Sequence, residues 1–424
     1  MRVAAMEFTY LDLPFTAHTE SQMRFWLPHW RNFQLCRITL DNGVEGWGEG
    51  MPNYTWSATP EDIVDRVVGR PAAEMLWEDG LGANVQMALF DAVGKALDVP
   101  AYQLMGNKVR EWCPISWWAM DMAPKDWARQ CAEAVKQGYT SAKLKARTWY
   151  DLHAAIRAVI RVVPPQFKLD LDFNGTLGNV ANAVEFLKTL EQYEHVAMIE
   201  TPIPQPDIAG NAHIRQRINR PVAMHYGYPP IPTNLKEDVT DGYLIGSEAQ
   251  HAIKAAHICE LANKPFWLQY VGTGITTTWV CHLGAVLSHA LWPAVTCMNL
   301  YRSQLVKEKI QVRGGYVRVP EKPGLGIEVD MRAVERYRVD YSRRELEKHL
   351  FCYRRASGEE VYYGVTRQAL GGAFQKDAMP VCEAGSRLDA IPDDGSKRFQ
   401  ELYEATRNGQ TVRRLAPRRG RRRG

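Results

Sequence analysis

Long hydrophobic runs are missing from this chain of 424 residues: no stretch approaches eighteen uninterrupted apolar positions, which argues against a membrane-spanning helix. The start, Met1-Arg2-Val3-Ala4-Ala5, has no long apolar segment of the kind a secretory leader carries, so a cytoplasmic protein without a membrane partner is expected. Cysteine pairing signals are also absent. The eight cysteines lie far apart, form no Cys-x-x-Cys motif and mostly sit in apolar surroundings, which fits buried free thiols in a reducing compartment. Surplus charge is scarce too. The net charge is only +4, and much of it comes from Arg413, Arg414, Arg418, Arg419, Arg421, Arg422 and Arg423. The remainder is near neutral, which points away from nucleic acid as a partner.

The composition, 46% hydrophobic and 24% charged, is that of an ordinary globular protein with room for two domains. Residues 33–40 alternate like a strand, Asp41-Asn42-Gly43 signals a turn, and residues 44–49 read as the returning strand of a hairpin. Helical patterning follows at 60–68, and Val85, Met87, Ala88, Phe90, Ala92, Val93 and Ala96 mark an almost wholly apolar helix that ends before Pro100. From Trp112 onward strand and helix alternate. Strand candidates are 115–118, Ser141–Lys145, Lys168–Asp172, 197–200, Val222–His225, Gly242–Ile245, 266–270 and 294–298, which is the number a closed barrel needs.

Three of these apolar runs close on chemistry. Lys143 and Lys145, then Asp172, then Glu200 end successive strands, 27 and 28 residues apart, about one strand, one helix and two loops. In a (β/α)8 barrel such strand ends converge on one mouth, so two lysines and two carboxylates are expected to meet. The expected fold is a TIM-type α/β barrel with an N-terminal α+β cap. The divisions are a capping domain at 1–111, the barrel at 112–312, a return segment at 313–340 packing on the cap, and a short C-terminal extension with an arginine-rich tail at 341–424. The extended stretches in the return segment, 314–319 and 323–329, are expected to rejoin the N-terminal sheet.

An ordered set of motifs resembles the enolase superfamily, in its mandelate racemase and muconate lactonizing enzyme branch, over roughly 1–339. The set is Asp41-Asn42-Gly43 through Trp47-Gly48-Glu49, Met87 to Asp91 with Gly94-Lys95, Leu104-Met105-Gly106, Lys143-Leu144-Lys145, Asp172-Phe173-Asn174, Ile199-Glu200-Thr201-Pro202 and Pro323-Gly324-Leu325-Gly326. The resemblance implies abstraction of the proton α to a carboxylate, with Lys145 as base. Lys143 would lower the base's pKa and bond the substrate carboxylate, and Asp172 and Glu200 would hold a divalent ion, Mg2+ by preference, against the enolate. A small carboxylate substrate and a homo-oligomer are expected.

The pattern is interrupted at three places. Where the resemblance puts a third acidic ligand, this chain has His225-Tyr226; either His225 coordinates and favours a transition metal, or it only hydrogen-bonds substrate. Neither the lysine after the sixth strand nor the histidine after the seventh is present, since Ser247-Glu248 and Tyr270-Val271 stand there. His282 lies in an apolar helical run and reads as core. One base on one face favours a lyase (dehydration) or cycloisomerase over a racemase, with Tyr226 or Tyr270 either donating a proton or forming pocket wall. His29, Trp30, Tyr54, Trp56, Trp118, Asn174 and Tyr270 are the expected substrate-binding residues. The alternative is a divergent member, either a binding or assembly protein or a metal-independent enzyme.

Overall fold

In the computed structural model the described residues are 1–52, 58–341, 349–408 and 411–415. Tyr54 and Trp56 lie outside them. Three antiparallel strands, β1 (Val3–Asp12), β2 (Asn32–Leu40) and β3 (Glu45–Gly50), form the N-terminal sheet in that order. The short helices α1 (Glu20–Trp26), α2 (Ile63–Val67) and α3 (Ala72–Met75) surround it. The helix α4 (Ala83–Ala96) lies flat on β3, which Gly46 and Gly48 permit: a Cβ on Gly46 would stand 2.7 Å from that of Ala92, and one on Gly48 2.8 Å from that of Met87. Held between sheet and barrel, α4 is buried on nearly every side, which is why its sequence shows no polar face.

The barrel strands are β4 (Trp112–Ala119), β5 (Ser141–Lys145), β6 (Lys168–Asp172), β7 (Val196–Glu200), β8 (Val222–His225), β9 (Gly242–Ile245), β10 (Phe266–Leu268) and β11 (Ala294–Val295). They pair in parallel and in sequence; β11 pairs with β4, and a bridge between Gln269 and Val295 closes the ring. Helices α5 (Pro124–Lys136), α6 (Leu152–Ile160), α7 (Val180–Leu190), α8 (Ile208–Arg217), α9 (Ile231–Lys236), α10 (Ala249–Leu261) and α11 (Gly274–Val286) occupy the connections. Register fixes the chemistry: Lys145 pairs with Asp172, and Asp172 with Glu200. Glu200 pairs with Ala223, so His225 stands two residues beyond it, nearer the mouth.

The cap is fastened to the barrel by buried carboxylates. Glu49 accepts from Thr273 N at 2.6 Å and Thr276 N at 2.8 Å. Asp91 accepts from Trp47 N at 2.9 Å and Leu325 N at 2.8 Å, joining hairpin, helix and the Pro323–Gly326 turn. The stretch expected to rejoin the N-terminal sheet divides its contacts. Its strand β12 (Tyr316–Arg318) pairs antiparallel with β4 of the barrel, and the sheet is met only later, where Val339 N donates to Tyr10 O at 3.0 Å. The helix α12 (Met331–Tyr337) lies between.

The C-terminal residues are more than a short extension. Strands β13 (His349–Arg354), β14 (Glu359–Tyr363), β15 (Arg387–Pro392) and β16 (Thr411–Leu415) form an antiparallel sheet, order β15-β13-β14-β16, with helices α13 (Arg367–Lys376) and α14 (Lys397–Thr406). Arg413 and Arg414, read from sequence as tail, belong to β16. Along β13 the side chains alternate: Leu350 and Cys352 join Phe399 and Leu402 in a small separate core, whereas Phe351 and Tyr353 join the main one. That second face lies over the barrel mouth, with Phe351 stacked on Trp26 at 5.1 Å and Cys382 N donating to Thr148 O at 2.8 Å. Among the described residues no helix is long and apolar enough to cross a membrane.

Candidate active site at the barrel mouth

Alternation along β5, β6 and β7 sends Lys143, Lys145, Asp172 and Glu200 into the barrel interior. Lys143 Nζ stands 2.5 Å from Glu200 Oε2 and 3.7 Å from Asp172 Oδ2, with both partners essentially inaccessible to solvent. It also donates to Gln269 Oε1 and lies over the Trp267 ring at 5.1 Å. Lys145 Nζ donates to Asp172 Oδ2 and, at 3.1 Å, to Asn174 Oδ1. Asp172 Oδ1 accepts from Asn174 N at 2.9 Å. Arg147, two residues on in the same phase, donates to Asp172 O at 2.6 Å and to Asn174 Oδ1. Asn174, with φ of +46°, Thr201 and Cys297 adopt left-handed backbone just past β6, β7 and β11, a local strain typical of functional strand ends.

The two lysines are driven apart. For Lys143 burial opposes the charged form, but Glu200 and Asp172 outweigh it and raise its pKa. For Lys145 burial wins over Asp172, helped by the charge on Lys143, and its pKa falls. Burial would raise Asp172, yet Lys145, Lys143 and Arg147 hold its carboxyl below the ordinary range. Glu200 goes the other way: burial and repulsion from Asp172 push it up to about 7. Asp170, one turn of the pleat below Asp172, is likewise pushed up to about 7 by burial.

His225 Nε2 faces Glu200 Oε1 at 3.7 Å, too long for a hydrogen bond. Surrounding protein and the charge on Lys143 push its imidazole down to about 4, so at neutral pH the ring is uncharged and this contact is no ion pair. Neither Glu200 oxygen accepts a well-directed hydrogen bond. Glu200 Oε1, away from Lys143, and the His225 nitrogen make a notch of two ligand atoms. The remaining carboxylate, Asp172, is held by Lys145 through Oδ2 and by Asn174 N through Oδ1. Among the described residues no three His, Cys, Asp or Glu side chains gather as a metal-binding group. Magnesium asks for near-octahedral oxygen ligands, so the donor set Asp172, Glu200 and His225, crowded by three cations, does not fit it.

A cavity of about 100 Å³ opens above this cluster, bounded by Trp30, Trp118, Lys145, Gln269, Cys297 and Arg367 among others. Trp30 and Trp118 stack at 5.5 Å and form one wall. A hollow of about 340 Å³ between Trp112, Arg313 and Tyr316 is larger but shallow, and it sits at the N-terminal end of β4, away from the lysines.

The other expected site residues fall elsewhere. Tyr226 turns outward, its ring edge-on to Tyr243 and His251. Tyr270 is buried, and its hydroxyl donates to Ser247 O at 2.6 Å, bracing two strand ends without reaching the cavity. His29 occupies the turn Pro28–Arg31 beside Trp30 but does not border the cavity. Asn174 orients Lys145 and Arg147. His282 is core, its Nδ1 accepting from Tyr102 N at 3.3 Å and its Nε2 donating to Leu325 O at 3.1 Å. Sequence reasoning passed over Gln269, Arg147 and Arg367. Arg147 had a legible signal, since Lys143, Lys145 and Arg147 share one strand phase; Arg367 had none.

The family described as Enolase C-terminal domain-like matches residues 126–226 and 249–333. The chain is 24% identical to the N-succinyl-L-Arg/Lys racemase of Bacillus cereus, over 70% of this chain and 87% of that protein. It is 25% identical to the D-xylonate dehydratase of Haloferax volcanii, over 72% and 85%. The muconate lactonizing enzyme of Pseudomonas putida superposes with a TM-score of 0.65 at 21% identity, covering 80% of this chain and 100% of that one. The family match, the racemase and dehydratase relatives and the shared barrel fold together support the enolase superfamily, in the mandelate racemase and muconate lactonizing enzyme branch, as the family this chain resembles.

Proposed function

We propose that this chain abstracts the proton α to the carboxylate of a small hydroxy acid, with Lys145 as the base, and that the enolate collapses by loss of a β-leaving group or by closing or opening a ring. One observation carries this: Lys145, alone of the two lysines, borders the cavity, and its pKa is displaced toward the neutral amine a base requires. Lys143 stays charged behind it and acts on the base through space. Gln269, which accepts from Lys143, borders the cavity in its place and is the group a substrate carboxylate meets. Charge developing on the enolate is met by the buried cations Lys143 and Arg147. No step passes through a metal ion, because the donors described above do not fit the one the family pattern implies.

The relatives bear the names of a racemase and a dehydratase, and the superposed structure that of a lactonizing enzyme, so they support enolate chemistry without choosing among its outcomes. Among the described residues no second base faces Lys145, which favours elimination or cycloisomerisation. A second reading, a protein that binds a carboxylate without turning it over, is favoured by the clamp of Asp172 and Asn174 on Lys145. Incubating the protein in deuterium oxide with acid sugars and aryl hydroxy acids separates the two. Loss of an α-proton signal supports catalysis; binding without exchange across the panel supports the second reading.

A further inference from the structure

Arg367 comes from the C-terminal unit, beyond residue 333 where the family match ends. It is the first residue of α13, placed by the Thr366 cap, and the helix delivers its guanidinium to the cavity that Lys145 borders. There it lies over the Trp26 ring at 5.3 Å and donates through Nη2 to Asp121 Oδ1 at 3.2 Å. Asp121 is itself buried, its other oxygen accepting from Trp149 Nε1 at 3.0 Å. Yet Arg367 Nε is buried with no hydrogen-bond partner. The described residues bordering that cavity include Lys145, Arg367, an amide and tryptophans, and no acidic side chain is among them.

We propose that Arg367 is the specificity-determining residue of this cavity and that the substrate carries a second acidic group, which Arg367 binds. The planar fork of a guanidinium, held flat by an aromatic face, matches a carboxylate or phosphate. The unpaired Nε–H is a donor that Asp121 leaves unused, and a small shift of the side chain toward a bound anion would pair it. A small cavity whose described lining holds Lys145 and Arg367 and no acidic side chain favours a ligand charged at both ends over a monoacid of the same size. The inference deepens the proposed function and rests on its placing of substrate beside Lys145, but its test needs no turnover.

Equilibrium binding by calorimetry, with malonate, maleate and succinate as dianion probes and propionate as monoanion, reads it. Wild-type protein binds at least one dianion tenfold or more tighter than propionate. Asp121→Asn keeps that preference. The double variant Asp121→Asn/Arg367→Met removes the buried charge pair together, so no carboxylate is stranded, and it loses the preference while its circular dichroism stays native. Equal affinity for mono- and dianions in the wild type, no binding of any probe, or a preference that survives the double variant overturns the proposal. Dianion preference with no α-proton exchange would sink the proposed reaction and leave Arg367 in its role.

Discussion

Lys143 and Lys145 stand two residues apart on one strand and face the same carboxylates, yet their pKa values move in opposite directions. Lys143 is enclosed, with Glu200 at 2.5 Å and Asp172 at 3.7 Å, so the two acids outweigh the cost of burying its charge. Among the described residues Lys145 has Asp172 as its one acid in contact, with Glu200 farther off and a charged Lys143 below it. The pair is therefore a fixed cation beside a tunable base.

That division sets the pH dependence. The reactive form of Lys145 is the neutral amine, whose fraction grows as pH rises through a value below the ordinary lysine range. The kcat/KM for any active substrate should rise with pH and level off at a lower pH than a free lysine would require. Activity that climbs only at the pH of a free lysine would remove the displacement.

Replacing one partner of the buried pair strands the other. Lys143→Met should lower unfolding free energy by roughly 3–5 kcal/mol, because Glu200 then has no cation within contact, whereas Lys143→Met/Glu200→Gln should regain most of that loss. Urea unfolding of the three proteins measures it. Equal stability of single variant and wild type would mean that the 2.5 Å contact contributes nothing.

The tether between cap and return segment has its own test. Gly324 has φ of +68°, and a Cβ there would stand 2.6 Å from Asp91 O. Gly324→Ala should cost about 3 kcal/mol through backbone strain and displacement of the Asp91 bond to Leu325 N, seen as a lower thermal midpoint. An unchanged midpoint would show that the turn can shift without loss.

Magnesium should not stabilise this protein. With Asp172 held by Lys145 and Asn174 N and a histidine in place of a third acid, millimolar Mg2+ should leave the thermal midpoint within about 1 °C of that in chelator. A rise of several degrees that chelator reverses would show that the lysines yield the acids to a metal.

Much of this site was legible because barrel strands end in phase: apolar runs closing on Lys145, Asp172 and Glu200 at regular spacing place their side chains in one layer. The same two-residue period explains the misplaced tyrosines. His225 and Gln269 point inward, so the next residue on each, Tyr226 and Tyr270, turns out toward the helices. Arg367 could not be seen, since its contact with Asp121 joins positions 246 residues apart and no local pattern encodes it. The C-terminal sheet was obscured because β13 is apolar on both faces, which hides the alternation of a strand.

Solvent deuterium uptake at the α-carbon, compared between wild type and Lys145→Ala on any acid that exchanges, tests the role of Lys145 most directly. If Lys145 is the base, exchange falls by about 10²-fold or more while circular dichroism and thermal midpoint stay close to wild type. Exchange at the wild-type rate in a folded Lys145→Ala protein would contradict it.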